Sequence, residues 1–162
     1  MPDAPPPLTI SRATSADLPA LLAIQKEAYE SEAVRYNDHT ITQVTETLAE
    51  VQAVHADPAT VILKAEINNT PVGAIRATRH GDTCEVGRLC VTPRHQRQGI
   101  GTALLRACET IFPDTRVCEL FAGAQSTDNI HLYEHLGYRR IKELAYPDFP
   151  KITIVYFQKP IR

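Results

Sequence analysis

The stretch Thr83–Glu109, TCEVGRLCVTPRHQRQGIGTALLRACE, decides how the rest of the chain is read. Its first half is apolar and β-rich, with Val86, Leu89, Cys90 and Val91, and it meets a turn at Thr92-Pro93. A polar, basic loop follows, Arg94-His95-Gln96-Arg97-Gln98. Gly99-Ile100-Gly101-Thr102 then opens an amphipathic helix carrying Leu104, Leu105 and Cys108. Strand, basic glycine loop and helix start together make an anion cradle. The first amides of a helix have no intrahelical acceptor, and the positive end of its dipole faces the loop. Gly99 and Gly101 let the backbone approach an anion without a Cβ in the way. Arg97, with Arg94 as a second candidate, adds fixed charge suited to phosphate.

Spacing separates the phosphate-binding designs that share those parts. A Walker loop needs Lys-Ser or Lys-Thr after its last glycine, and here Ile100 and Thr102 flank Gly101 with no lysine nearby. A dinucleotide fingerprint needs a third small residue three places beyond the second glycine, where this chain has Leu104. Both readings fail. What remains is Gln96-x-x-Gly99-x-Gly101 behind Leu89-x-Val91-x-Pro93. It resembles the pyrophosphate-binding motif of the GNAT superfamily of N-acetyltransferases: glutamine or arginine, two residues, glycine, one residue, glycine or alanine. The bland alternative is a strand-to-helix turn whose glycines serve packing, but such a turn does not require a basic loop at the helix start.

At 162 residues the chain reads as one domain, 1–162, with 1–7 as an extended, proline-rich lead-in. Seventeen basic and 19 acidic residues leave a net charge of −2, so no nucleic-acid or membrane partner is suggested. Cys84, Cys90, Cys108 and Cys118 fall inside expected strands and a helix with no C-x-x-C spacing. Buried reduced thiols fit a cytoplasmic protein. The opening MPDAPPPL has no basic region followed by an apolar run, so no secretory signal is read there. No stretch approaches membrane-span length.

Taken in order, Leu8–Ala13 alternates as a strand. A helix capped by Ser15 or Asp17 runs to about Glu32 through Leu18, Leu21, Leu22, Ile24 and Ala28. A second helix is expected from Thr42 to about His55 on Val44, Leu48, Val51 and Val54. Strands follow at 60–67, 72–79 and 83–91 as an antiparallel meander. A helix runs from Gly99 to about Phe112, and the strand 117–122 returns parallel to 83–91. A short helix, Ser126–Leu136, takes Ser126 as its cap. Strands 138–144 and 151–158 close the chain as a hairpin. The element order, β, α, α, β, β, β, α, β, α, β, β, is similar to that of GNAT domains. The resemblance implies an α/β (α+β) fold: a mixed, mostly antiparallel central sheet of about seven strands with about four flanking helices.

It also implies acetyl-CoA as the acyl-donor co-substrate, with no metal. The pyrophosphate would be held by Gln96, Arg97, Gln98, Gly99, Ile100, Gly101 and Thr102. In the family the preceding strand splays from its parallel neighbour through a bulge, and its main chain pairs with the pantetheine arm; the matching residues are Leu89, Cys90 and Val91. The thiol of Cys90 sits in an apolar run with no activating base, so a core thiol is read in preference to a nucleophile. Ser126–Tyr138, STDNIHLYEHLGY, looks like the family's second signature, Tyr-Glu-x-x-Gly-Tyr or Phe. Tyr133 would donate to the departing thiolate, or else is a core aromatic. Asn129, one turn before it, would hydrogen-bond the cofactor. Many members place that asparagine where this chain has Ser126.

Glu85 resembles the general base of some branches, or else is a solvated strand residue. His131 and His135 lack the glutamate of an H-E-x-x-H pair and read as solvated. Tyr29–Asp38 and the Asp148 region are expected to border the acceptor pocket, where Glu30, Glu32 and Asp38 either attract a cationic amine or form a solvated face. The reading is therefore an N-acetyltransferase acting on a primary amine of a small molecule or peptide by direct attack in a ternary complex. A non-catalytic acyl-CoA sensor of the same fold is the alternative, and a homodimer is left open.

Overall fold

Apolar alternation becomes sheet throughout the computed structural model, which describes residues 4 and 6–162; of the expected lead-in 1–7, residues 1–3 and 5 lie outside the described residues. The elements are β1 (Leu8–Arg12), α1 (Leu18–Arg35), α2 (Thr42–Thr45), α3 (Leu48–Ala56), β2 (Thr60–Ile67), β3 (Thr70–His80), β4 (Thr83–Val91), α4 (Ile100–Cys108), β5 (Val117–Gly123), α5 (Thr127–His135), β6 (Arg139–Tyr146) and β7 (Phe149–Pro160). The strands form one seven-stranded sheet in the order β1-β2-β3-β4-β5-β7-β6. Every neighbour pair is antiparallel except β4 with β5, which are joined through α4 and run parallel. Asn68 and Asn69 both take positive φ, 51° and 60°, as the two-residue hairpin between β2 and β3 requires.

Strand parity sorts the core onto two faces. Val61, Leu63 and Ala65 of β2 pack with Leu104, Leu105 and Cys108 of α4 and with Ile130 and Tyr133 of α5. Ile62, Ala74 and Cys90 lie on the other face under Leu18, Leu21, Leu22 and Ile24 of α1 and Val51 of α3. A third cluster joins Ala33 and Ile41, around the end of α1, to Ile152 and Ile154 of β7.

Between the second and third clusters the sheet opens. β4 and β5 pair at Thr83↔Val117, Cys84↔Cys118 and Glu85↔Glu119 and no further. On its other edge β4 stays with β3, but Gly87 opposes Arg76 while Cys90 opposes Ala74. Three steps along β4 therefore match two along β3. The extra residue is a bulge, and within it Arg88 takes φ 54°. Val86–Val91 and Leu120–Gly123 thus face each other across a wedge with their inner edges unpaired.

The helix expected over Thr42–His55 is broken. Glu46 is extended (φ −54°, ψ 132°) and Thr47 starts a new helix. Thr47 Oγ1 accepts the Glu50 amide at 3.2 Å while the Glu50 carboxylate accepts the Thr47 amide at 3.3 Å, a capping box. Val44, Leu48, Val51 and Val54 fit a continuous helix, so periodicity alone hides the break. The kink turns Glu46 inward, where its carboxylate accepts from Arg76 (3.1 and 3.3 Å), Arg88 Nε (3.3 Å) and Gln25 Nε2 (2.8 Å). Burial alone would raise the Glu46 carboxyl. The hydrogen bonds from Arg76 and Gln25 and the charges of Arg76 and Arg88 outweigh burial and hold it below the ordinary value. Smaller differences are that α1 runs to Arg35, that α4 gives way to turns after Cys108, and that the last hairpin needs only Pro147-Asp148 as its turn.

Removing one partner of such a network leaves buried charge uncompensated. Glu46→Ala should therefore cost about 3–5 kcal/mol in urea denaturation at neutral pH. Because the folded carboxyl lies below its ordinary value, its contribution is complete above that value and fades as pH falls through the lowered one. The gap between wild type and variant should narrow on the acid side; a gap that stays constant there would mean the ionised carboxylate is not the source.

Candidate functional site

A cleft of about 590 Å³ runs along the free edge of β4 to the start of α4. Leu89, Cys90 and Val91 line it, with Gln96, Arg97, Gly99, Ile100, Gly101 and Thr102 at one end and Asn129 opposite. Gly99 is the residue before the helix and has φ 83°, which a side chain would strain. The first helical bond runs from the Ala103 amide to the Gly99 carbonyl at 3.0 Å. The amides of Ile100, Gly101 and Thr102 consequently find no acceptor among the described residues. Arg97 takes φ 62° in the exposed loop and lines the cleft, whereas Arg94 and Gln98 do not. Gln96 donates its side-chain amide to the Val91 carbonyl at 3.0 Å, folding the loop back onto the strand. His95 is fixed against Thr92 Oγ1 at 2.8 Å. Free amides, a helix dipole and Arg97 give that end of the cleft the chemistry of an anion site.

A second, inner cavity of about 100 Å³ fills the wedge between β4 and β5. Tyr133 of α5, Phe121 of β5, Tyr146 of β6 and Ile152 and Ile154 of β7 are among its walls. The cleft and the cavity share Tyr29, Glu32, Leu89 and Asn129, so these four residues mark where the two meet. Asn129 and Tyr133 stand one turn apart on the same face of α5, as their spacing requires. The Tyr133 ring packs edge-on to Phe157 (5.7 Å) and Tyr138 (6.3 Å), and its hydroxyl has no hydrogen-bond partner among the described residues. Burial, and then the Glu32 charge, push the Tyr133 phenol up to about 12, so it holds its proton at neutral pH and is a donor. Burial raises Tyr29 as well, with Tyr133 and Cys90 adding to it.

Glu32 is held by a chain of hydrogen bonds that sequence reading missed. Ser126 occupies the position before α5 but does not cap it; its hydroxyl donates to Glu32 Oε2 at 2.6 Å. The Ser126 proton is thereby committed, so the Tyr36 hydroxyl, 2.8 Å away, donates to Ser126 Oγ and accepts the Gln125 amide at 2.9 Å. Gly123 makes room for this contact, since a Cβ there would overlap the Tyr36 hydroxyl. Arg35 donates to the other Glu32 oxygen at 2.7 Å. Glu30 pairs instead with the exposed His39, and Asp38 holds the Thr40 turn; neither lines the cavity.

Glu85, the candidate base, stands apart from both cavities. It lies in the last pair that β4 makes with β5, its side chain is 59% exposed and pairs with His80 at 3.0 Å, and it lines neither cavity. Cys90 lines the cleft, and its buried thiol is pushed up to about 12 by burial, as a core thiol should be. Asp148 is not in the cavity wall, to which that hairpin contributes Tyr146, Ile152 and Ile154. His131 borders the cleft, and no metal-holding group of His, Cys, Asp and Glu occurs among the described residues.

The family model described as Acetyltransferase (GNAT) family matches residues 18–138, which contain every residue of the cleft wall named above. A Bacillus subtilis (strain 168) protein, named provisionally as an acetyltransferase, is 27% identical over 100 residues, 62% of this chain and 66% of its own length. Among solved structures, the ribosomal-protein-S18-alanine N-acetyltransferase from Escherichia coli superposes with a TM-score of 0.74 at 22% identity, covering 95% of this chain and 94% of its own. The spermidine N-acetyltransferase from Vibrio cholerae, in complex with CoA and spermine, gives 0.72 at 16% identity, with 94% and 95% covered.

An added Cβ at Gly101 would sit 3.9 Å from both Leu132 and Leu89, ordinary contact, so Gly101→Ala fits. The extra methyls of Gly101→Val enter the cleft at the free amides. That variant should keep its thermal midpoint while losing coenzyme A affinity by about a hundredfold in calorimetry, the scale of two charge-assisted hydrogen bonds. Undiminished binding would place the diphosphate elsewhere.

Proposed function

Because the chain belongs to the acetyltransferase (GNAT) family, we propose that it transfers the acetyl group of acetyl-CoA to a primary amine by direct attack in a ternary complex. One observation carries this reading: a cleft ending in free helix amides meets an inner cavity at Tyr29, Glu32, Leu89 and Asn129, where β4 and β5 have parted. A donor and an acceptor entering from the two sides come together there.

The thioester supplies an activated acyl carbon, and the chain's own groups do the rest. Ile100, Gly101 and Thr102 hold the diphosphate through their amides, with Arg97 adding charge. The unpaired edge of β4 pairs with the amides of the pantetheine arm as an added strand would. Glu32, the carboxylate common to both cavities, accepts the ammonium proton directly or through water. As the C–N bond forms and the C–S bond breaks, the protonated Tyr133 phenol donates a hydrogen bond to the departing thiolate.

Free-thiol release from acetyl-CoA with a panel of amines tests the transfer; coenzyme A binding without release from any of them would instead favour a sensor. Given an acceptor, Tyr133→Phe keeps the ring packing and removes the donor. Its kcat should fall roughly tenfold to a thousandfold with acetyl-CoA affinity within a few-fold, and full kcat would leave Tyr133 a core aromatic. Glu32→Gln, which can still accept from Ser126, should lower kcat/KM by about tenfold to a hundredfold, with the deficit growing as pH falls and the amine is more fully protonated. A loss confined to Glu85→Gln would return the base role to that residue.

A further inference from the structure

We propose that the acceptor amine carries an anionic group, in the simplest case a carboxylate, and that Arg88 on the wall of the inner cavity binds it; the inference rests on the acetyl-transfer reading of that site. The first support is a charge count. Arg76 and Arg88 share the single carboxylate of Glu46, and neither has another carboxylate within 4 Å among the described residues. Two cations and one anion leave a net +1. The Arg76, Arg88 and Glu46 side chains are 15%, 18% and 5% exposed, so water does little to screen that excess.

The second support is where the unused donors are. Arg76 takes both Glu46 oxygens through its two Nη groups and keeps a buried Nε with no partner among the described residues. Arg88 spends its Nε on Glu46, and its two Nη groups make no hydrogen bond to the described residues. Arg88 lines the inner cavity and also a small hollow under α1; Arg76 lines only that hollow. A guanidinium fixed at one edge and open at the other is suited to a bidentate carboxylate. The bulge that parts β4 from β5 also places this side chain, at a φ of 54° that a non-glycine residue rarely adopts.

The rest of the cavity fits the same compound. Glu32 is the acidic residue of its wall and stands at the junction with the cleft, where the amine must arrive. Among the described residues no second carboxylate lines the cavity to receive another ammonium, and a polycation would meet the net positive Arg76–Glu46–Arg88 group. Phe121, Tyr146, Ile152 and Ile154 surround the space between with apolar surface. The structure thus suits a small zwitterion with an apolar body: ammonium toward Glu32, carboxylate toward Arg88.

Matched acceptors test this. Thiol release from acetyl-CoA is followed with leucine, leucinamide and isoamylamine, with phenylalanine, phenylalaninamide and phenethylamine, and with spermidine. The carboxylate member of each set should be preferred by about tenfold or more in kcat/KM, the scale of one charge-assisted pair. Arg88→Gln leaves Arg76 and Glu46 as a balanced ion pair, so it should fold. It should erase the preference by raising KM for leucine and phenylalanine about tenfold, the scale of the pair that is lost. Should it not fold, Arg88→Lys keeps the charge without the fork and should retain part of the preference. Turnover that favours the amides, the simple amines or spermidine overturns the proposal and leaves acetyl transfer standing, as does a preference that survives Arg88→Gln. Thiol release with no member of the panel, in protein that binds coenzyme A, overturns the transfer reading and this inference with it.

Discussion

Three residue pairs hold β4 to β5, and the end of that pairing at Glu85 and Glu119 governs everything at the centre of the molecule. A sheet normally consumes every backbone donor and acceptor along its strands. Here Val86–Val91, apart from the bulged Arg88 and Leu89, and Leu120–Gly123 keep their outer pairing, to β3 and β7, and give up the inner one. Unpaired backbone is costly when buried, and the wedge meets that constraint by being a cavity open to the cleft. The bulge at Arg88 provides the curvature, and the helices on both faces keep the parted strands from closing. An edge so exposed within a sheet is a docking surface by default, because its hydrogen bonds remain to be made.

Two carboxylates then secure α1 and α2 across the opening, and they differ in what they leave unused. Glu46 is fully engaged by two arginines and a glutamine, so it organises charge and does no chemistry of its own. Glu32 faces both cavities and is held from outside by Ser126 and Arg35. Buried ion pairs contribute little net stability compared with apolar packing, but they fix geometry. At Glu46 that geometry is the direction of Arg88. At Glu32 it is the position of the proposed proton acceptor.

The fold was legible because its signals were local and mutually consistent: strand, turn, glycine loop and helix in Thr83–Glu109, with period-two strands on either side. The cleft was legible for the same reason, since backbone amides and glycines do its work. The acceptor side was less so, because the bulge in β4 inserts one residue and reverses the facing of everything before it. Cys84 and Val86 pack toward α4, yet Cys90, an even number of positions on, lies under α1. The break at Glu46 was hidden behind an unbroken helical period, although Thr47-x-x-Glu50 carried its signal. Ser126 was read as a helix cap from its position, and only its partners across the wedge reveal that it serves Glu32.

That Ser126 bond also ties the two halves of the proposed chemistry together. Ser126 heads α5, the helix that carries Asn129 and Tyr133, and Glu32 lies near the end of α1. A proton acceptor and a hydrogen-bond donor on separate elements must be held to within a fraction of an ångström to act on one reacting centre. Here they are linked by a 2.6 Å hydrogen bond and by the Tyr36 hydroxyl, which reaches over Gly123 to the same serine. The donor half of the site is built from main chain, which tolerates side-chain change; the acceptor half depends on side chains from α1, α5 and the last hairpin. Because α1 contributes Tyr29 and Glu32 to both halves, its seating would set the geometry of the proposed attack and departure together.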